Sequence, residues 1–514
     1  MVVMDRDLEK QPVAGSASAD TDADTPDTDN TPSPSSSGTS TPQPQEAIDD
    51  CNTPQEKVTK IQTATSYHPG FSLPKWRKSI ILFVVSWMTL AVTFSSTSLL
   101  PATPEIAVEF NTTSETLNIT NAGVLLAMGF SSLLWGPLTI LLGRRISYNI
   151  AVAVLVGCSI GTAASKSMGM FTAFRILGGW TGTSFMVSGQ TVLADIFEPE
   201  VRGTAVGFFM LGSVTGPAIG PCIGGVIVTF ASWRYIYWLQ TAMAGFGLIL
   251  SLIFVPEVQQ EQEVSPSATK KLQRKKITIG YALRIFNPVH VFRMWLYPNI
   301  FLSHLTCGLL ATYLYALLSS ARTIFNPRFH LTSALVSGLF YLAPGAGFLF
   351  GSILGGRLSD RAVKKYIVRR GFRLPQDRLN SGLIMLSLVL PGATLIYSWT
   401  LDQEVGGMAV PIIAGFVGGT GLMGSFNGLN TYAAEASPRH RAEVISGKYI
   451  IQYIFSAGAS ALVVPLIERI GVGWTFTIST GFTLFGAFLV FVIAKWGIDM
   501  QRFVERRFPI DRKV

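Results

Sequence analysis

The sequence predicts an all-α membrane protein built as two six-helix bundles, and three observations predict it. The 514 residues are 48% hydrophobic but only 14% charged, where a soluble domain carries about 25% charged residues to face water. From Lys78 onward, apolar runs of about 20 residues recur, the length a helix needs to cross roughly 30 Å of hydrocarbon. The runs fall into two groups of six, separated by a polar stretch over 256–295.

Taken in order, residues 1–74 hold 12 acidic and 4 basic residues among many Ser, Thr and Pro, as in Ser33-Pro34-Ser35-Ser36-Ser37. Such a stretch buries too little apolar surface to offset its ordering entropy, and a disordered tail is expected. No apolar run precedes it, so no cleavable secretory signal is expected and the first spanning helix directs insertion. Helices are predicted over 79–101, 121–142, 147–165, 169–193, 204–230 and 234–255, an amino-terminal bundle over 75–255. The linker 256–295 holds Lys270, Lys271, Arg274, Lys275 and Lys276. Helices over 296–319, 334–355, 382–401, 407–433, 446–468 and 474–497 make a carboxy-terminal bundle over 296–497, followed by a basic tail over 498–514.

The net charge of +9 conceals a division. Beyond residue 74 there are 19 acids and 36 bases, and the bases gather in alternate connections: Lys75, Arg77 and Lys78; Arg144 and Arg145; Arg202; the linker; Lys364, Lys365, Arg369, Arg370, Arg373 and Arg378; Arg502, Arg506 and Arg507. The opposite connections hold scattered bases such as Lys166, Arg234 and Arg322. This asymmetry places both termini in the cytoplasm. It also makes the bilayer, and not nucleic acid, the partner of the positive charge. Two glycosylation sequons, at Asn111 and Asn118, both fall in the first external loop, the side on which they can be used. Cys51, Cys158, Cys222 and Cys307 have no paired spacing, so neither a metal site nor a disulfide framework is expected, and no cofactor is implied.

Along the fifth helix Gly212, Gly216, Gly220 and Gly224 recur at every fourth position, with Pro217 and Pro221 between them. In water each glycine would cost a helix about 1 kcal/mol and each proline about 3. In a bilayer the glycines let helices approach closely and the prolines bend the helix. Tight packing accounts for the glycines alone; the interleaved prolines favour a shaped interface that moves. A matching ladder, Gly347, Gly351 and Gly355, lies on the eighth helix.

Arg175 stands within an apolar run, where a central arginine costs at least about 2.5 kcal/mol. It either faces an aqueous cavity or is a structural arginine that bonds backbone carbonyls or snorkels. Histidine changes charge near neutral pH, so His304 reads either as a coupling group or as a packing residue. Tyr313 and Tyr315, Asn427 and Asn430, and Ser95, Ser96 and Ser98 either line a cavity or bond between helices. The carboxylates Glu105, Asp195, Asp360 and Glu435 all fall near helix ends. Two catalytic patterns fail on context. Gly157-Cys158-Ser159-Ile160-Gly161 matches a hydrolase elbow but lies inside a spanning helix. Gly447-Lys448 precedes Tyr449, whereas a phosphate-cradling loop needs Ser or Thr there. The chain is therefore read as neither an enzyme nor an ATP-driven pump.

The run Gly216-Pro217-Ala218-Ile219-Gly220-Pro221-Cys222-Ile223-Gly224-Gly225 resembles the fifth-helix antiporter signature of the twelve-helix drug:proton antiporter branch of the major facilitator superfamily. Arg175-Ile176-Leu177-Gly178-Gly179 resembles that branch's fourth-helix motif, and Gly356-Arg357-Leu358-Ser359-Asp360-Arg361 the loop motif after the second helix of each half. Leu193-Ala194-Asp195 through Arg202-Gly203, and Trp233-Arg234-Tyr235, are similar to fungal members. In the first half the loop motif, Gly136 to Arg145, departs from the pattern: Ile140 and Leu141 stand where the family has an acid and a base. Asp195, Glu198 and Glu200 are then expected to partner Arg144 and Arg145 at the gate.

The resemblance implies a monomer in the plasma membrane, or alternatively the vacuolar membrane, that exports small organic compounds such as drugs, toxins or secondary metabolites in exchange for protons. It implies that helices one, four, seven and ten line a central cavity while the halves rock about it. The glycine ladders of helices five and eight are then expected between the halves. Two alternatives stay open: a proton-independent or uptake carrier for an organic acid or nutrient, and a membrane sensor that no longer transports.

Overall fold

The computed structural model describes residues 73–254 and 286–507, except 198, 332–333, 373 and 438–439; the side chains of 194, 195, 199–204 and 334 are also outside the description. The expected tail over 1–74, all but its last two residues, lies outside the described residues, as do the linker lysines and Arg274.

The first six crossings are α1 (Lys75–Thr97), α2 (Ser114–Leu142), α3 (Arg144–Ala163), α4 in two pieces (Met168–Gly179 and Gly182–Ile196), α5 (Pro199–Phe230) and α6 (Arg234–Phe254). The next are α7 (Pro298–Arg328), α8 (Leu342–Arg370), α9 (Leu379–Ile384, a π-helical turn Met385–Val389, then Leu390–Asp402) and α10 (Ala409–Ala436). The helix Arg441–Arg507 is two across a kink at Gly471, α11 over 441–470 and α12 over 472–507. Ten helical stretches are long and apolar enough to cross a membrane. One is the α11–α12 pair, and α4 adds a crossing because its pieces, 12 and 15 residues, are each too short alone. Twelve crossings result among the described residues. Odd-numbered helices run from a basal end, where α1 begins, to a distal end.

Local chemistry sets the boundaries. The Thr113 hydroxyl caps α2 by accepting from the Thr116 amide at 3.3 Å, and Glu115 follows in the first turn, where carboxylates suit the helix dipole. Helix α2 therefore starts before the predicted 121, and Asn118 lies in its second turn, half-buried, instead of in a loop. Asn111 stays exposed in the preceding turn. Between α11 and α12, Gly471 adopts φ 83°, ψ 169°, open to residues without a Cβ. Asp402 there accepts the Gly473 amide at 3.0 Å and caps α12. Helix α12 continues to Arg507, past the predicted end at 497, because Ile493, Gly497, Met500 and Val504 keep a face turned inward at helical spacing.

The surface is inverted relative to a soluble protein. Phe83, Ile253, Phe350, Leu388 and Phe488 are exposed on the outside, while Thr89, Thr93 and Thr97 are buried. Each of those threonines donates its hydroxyl to the carbonyl four residues back, so no donor is left unsatisfied in apolar surroundings.

The expectation that the glycine ladders lie between the halves is corrected by their neighbours. A Cβ added at Gly212, Gly216, Gly220 or Gly224 would meet Ser86, Thr93, Thr97 or Ser98 of α1. One added at Gly347, Gly351 or Gly355 would meet Phe416, Thr420 or Gly424 of α10. Both ladders therefore bind helices within a half. Residues four apart share one helix face, and the adjoining face of α5 meets the other half. There a Cβ on Gly345 of α8 would lie 2.6 Å from the Ala218 carbonyl oxygen, and one on Gly338 would lie 3.3 Å from the Pro221 carbonyl oxygen. The second seam joins α2 to α11, where Asn121 donates to Ser460 at 3.3 Å and Gly129 packs on Tyr453.

Candidate functional site

Between these two seams the halves enclose a cavity of about 80 Å³. Met186 of α4, Met210 of α5, Tyr315 of α7, Met423 of α10 and Tyr449 and Tyr453 of α11 give it an apolar, adaptable wall. Ser213, Asn427, Asn430, Gln452 and Lys448 supply its polar points. Gln190 of α4 donates to the Tyr449 hydroxyl at 3.3 Å across the halves. An engineered cavity that holds benzene measures about 150 Å³, so this contracted cavity must widen to take a larger organic molecule.

Of the residues singled out in the sequence, Pro217, Tyr315, Asn427 and Asn430 meet at this cavity. Asn427 donates to the Ser352 carbonyl at 2.5 Å, and Asn430 accepts from Lys448 at 2.7 Å. Arg175 lies elsewhere. It is 4% exposed, donates to the Ser95 carbonyl and to Asn121 Oδ1, both at 2.9 Å, and stacks over the Tyr237 ring at 5.7 Å. The Ser95 backbone therefore serves Arg175, and the Ser98 backbone packs against Gly224. His304 is fully buried among α7 and α11, beside Gly447, with neither ring nitrogen hydrogen-bonded. Tyr313 points its hydroxyl at Gly418 of α10, inside the second half.

At the basal end Arg378 joins Asp360 at 3.0 Å and Glu435 at 3.3 Å, tying α8, α9 and α10. Arg361 is exposed. Arg145 donates to the Leu252 carbonyl of α6 at 2.6 Å, and Arg144 begins α3 after Gly143. The side chains of Asp195 and Glu200, and Glu198 entirely, lie outside the described residues. At the distal end Arg322 of α7 reaches into the first half. It holds both Glu105 carboxylate oxygens at 3.0 Å and bonds the Pro101 carbonyl. Glu109 pairs with Arg234, and Glu404 with Arg328. No cluster of side chains among the described residues could hold a metal ion.

Residues 85–453 match the sequence profile of the Major Facilitator Superfamily. The chain belongs to this superfamily. Among its facilitators the chain is 25% identical to the efflux pump radE of Floropilus chiversii, over 78% of this chain and 76% of that protein. It is 22% identical to the MFS antiporter QDR3 of Candida albicans, over 86% and 81%. Such relatives place it in a fungal efflux-type branch of secondary transporters. The fold is also that of the xylose transporter XylE of E. coli in its partially occluded inward open conformation, with a TM-score of 0.61 at 15% identity over 82% of this chain and 98% of that one.

In this facilitator the sequence reading passed over Lys448, weighing it only as a failed phosphate loop. Its signal was present: a lone cation within a run of otherwise apolar and small residues, which in a membrane marks a functional position. The lysine is 2% exposed, lines the cavity and lies 3.7 Å from the Tyr449 ring centre.

Proposed function

We propose that this facilitator exports small organic compounds in exchange for protons, working as a monomer in the plasma membrane with both termini in the cytoplasm. The observation that carries the reading is a cavity lined from both halves of one chain, beneath a distal ion pair that joins the halves. Rocking of the halves would release that pair and turn the cavity outward. The names of radE and QDR3 support efflux and antiport. Orientation is supported by charge. The distal arginines Arg234, Arg322 and Arg328 are each paired with a glutamate, whereas the basal end gathers the larger set of bases. Asn111, exposed at the distal end, is the acceptor of a glycan on this reading.

A second reading, a facilitator without proton coupling, is favoured by one observation. No carboxylate lines the cavity, and the described carboxylates lie toward helix ends. Inside-out vesicles holding the purified protein and a panel of labelled drugs and organic acids separate the two. Accumulation driven by an imposed proton gradient is the expected result. Equilibration indifferent to the gradient would replace antiport with facilitated diffusion.

A further inference from the structure

Lys448 is a buried cation whose described partners are all neutral. An ammonium carries three N–H donors and no acceptor, and the one acceptor it has among the described residues is Asn430 Oδ1 at 2.7 Å. Its other contact is the face of Tyr449. Of the described acids, Glu105 and Glu109 pair with distal arginines, Asp360 and Glu435 with Arg378, Asp377 with Arg370 and Glu404 with Arg328, and none lines the cavity. Arg175, the other buried cation of the helical core, has two oxygen acceptors and does not line the cavity. The cavity therefore presents one positive point, in low-dielectric surroundings, within a wall of methionines and tyrosines.

We propose that Lys448 anchors the negatively charged group of the substrate, so that this cavity selects organic anions with an apolar, aromatic body over their neutral and cationic counterparts. This rests on the transport reading and names the substrate class for the same cavity. A carboxylate meeting Lys448 makes charge-assisted hydrogen bonds that an amide of the same shape makes only weakly. An organic cation brought there meets like charge, which selects against it. Met186, Met210 and Tyr453 receive the body while Asn430 keeps the ammonium in place.

The test is binding to the full-length protein in detergent, by titration calorimetry, of benzoate, cinnamate and 2-naphthoate against their amides. At least one acid is expected to bind about tenfold or more tightly than its amide. Lys448→Gln is expected to bring that ratio near one while leaving the amide within about threefold of its wild-type affinity; Lys448→Arg is expected to keep the preference. A wild type with no acid preference in any pair, or a Lys448→Gln protein that melts like wild type and keeps the preference, overturns the anchor. Flux of the same probes in proteoliposomes separates this from the transport reading. Flux without acid preference refutes the anchor and leaves transport standing; a Lys448-dependent acid preference without flux does the reverse.

Discussion

Arg322 offers the most direct test of how the halves are held together at the distal end. The guanidinium grips Glu105 with two bonds of 3.0 Å and also bonds the Pro101 carbonyl, so three contacts are lost when the halves part. Hydrogen bonds to charged groups contribute about 1.5–3 kcal/mol when buried. The Arg322 and Glu105 side chains are 16% and 35% exposed, and solvent screening lowers the net value of the pair to about 1–2 kcal/mol. At 1.4 kcal/mol per tenfold, Arg322→Gln should raise the distal-open population about 5- to 30-fold. Ser96 is 2% exposed in the closed form and lies near the distal end of α1, so it reports opening. In a chain whose four cysteines are replaced by alanine, Ser96→Cys should react with a membrane-impermeant maleimide faster by that factor once Arg322→Gln is added. Glu105→Gln should do the same, and the exchange of the two charges should restore slow labelling. Unchanged labelling in Arg322→Gln protein of normal melting temperature would refute the latch.

Gly345→Val places carbon against the Ala218 backbone, 2.6–2.7 Å from the added Cβ, and backbone cannot step aside. Overpacking of about 1–3 kcal/mol should lower the detergent melting temperature and transport rate, while Gly392→Ala, with open space around its Cβ, should change neither. Asn121→Ala removes an acceptor from the buried Arg175 and should destabilise by about 2 kcal/mol or more, read as a lower melting temperature; an unchanged value would argue that Arg175 is not held as described. Asn111→Gln should abolish the endoglycosidase-sensitive mass shift of protein made in fungal cells, and Asn118→Gln, within α2, should leave it.

Much of the fold was legible because hydrocarbon thickness dictates helix length: the runs at 79–101 and 407–433, for example, both become crossings. What spacing conveys less well is partnership. Gly216 and Gly220 plainly share a face, yet nothing in their spacing says that α1, and not α8, meets it. The break in α4 at Trp180 and Thr181 lies among Gly178, Gly179 and Gly182, a weak-helix signal that the length of the apolar run concealed. At the cavity, Tyr315, Asn427 and Asn430 were legible as polar positions on spanning helices. Arg175 and Lys448 look alike in sequence, each a lone cation in an apolar run. Only the fold separates them, by bringing Asn121 and the Ser95 carbonyl to one and leaving the other at the cavity wall.

The π-helical turn Met385–Val389 in α9 has a consequence for descent. A turn closed by bonds five residues apart holds one residue more than its α-helical equivalent, and each residue of a helix turns the chain by about 100°. One codon in this stretch therefore sets how the basal turn of α9, with buried Leu379 and Gly382, is rotated against the rest of the helix. A relative one residue shorter here keeps its distal faces and rotates only the turn that follows Asp377 and Arg378. A single-codon deletion at 385–389 is the smallest heritable step that would swing the Arg378 ion pairs off Asp360 and Glu435.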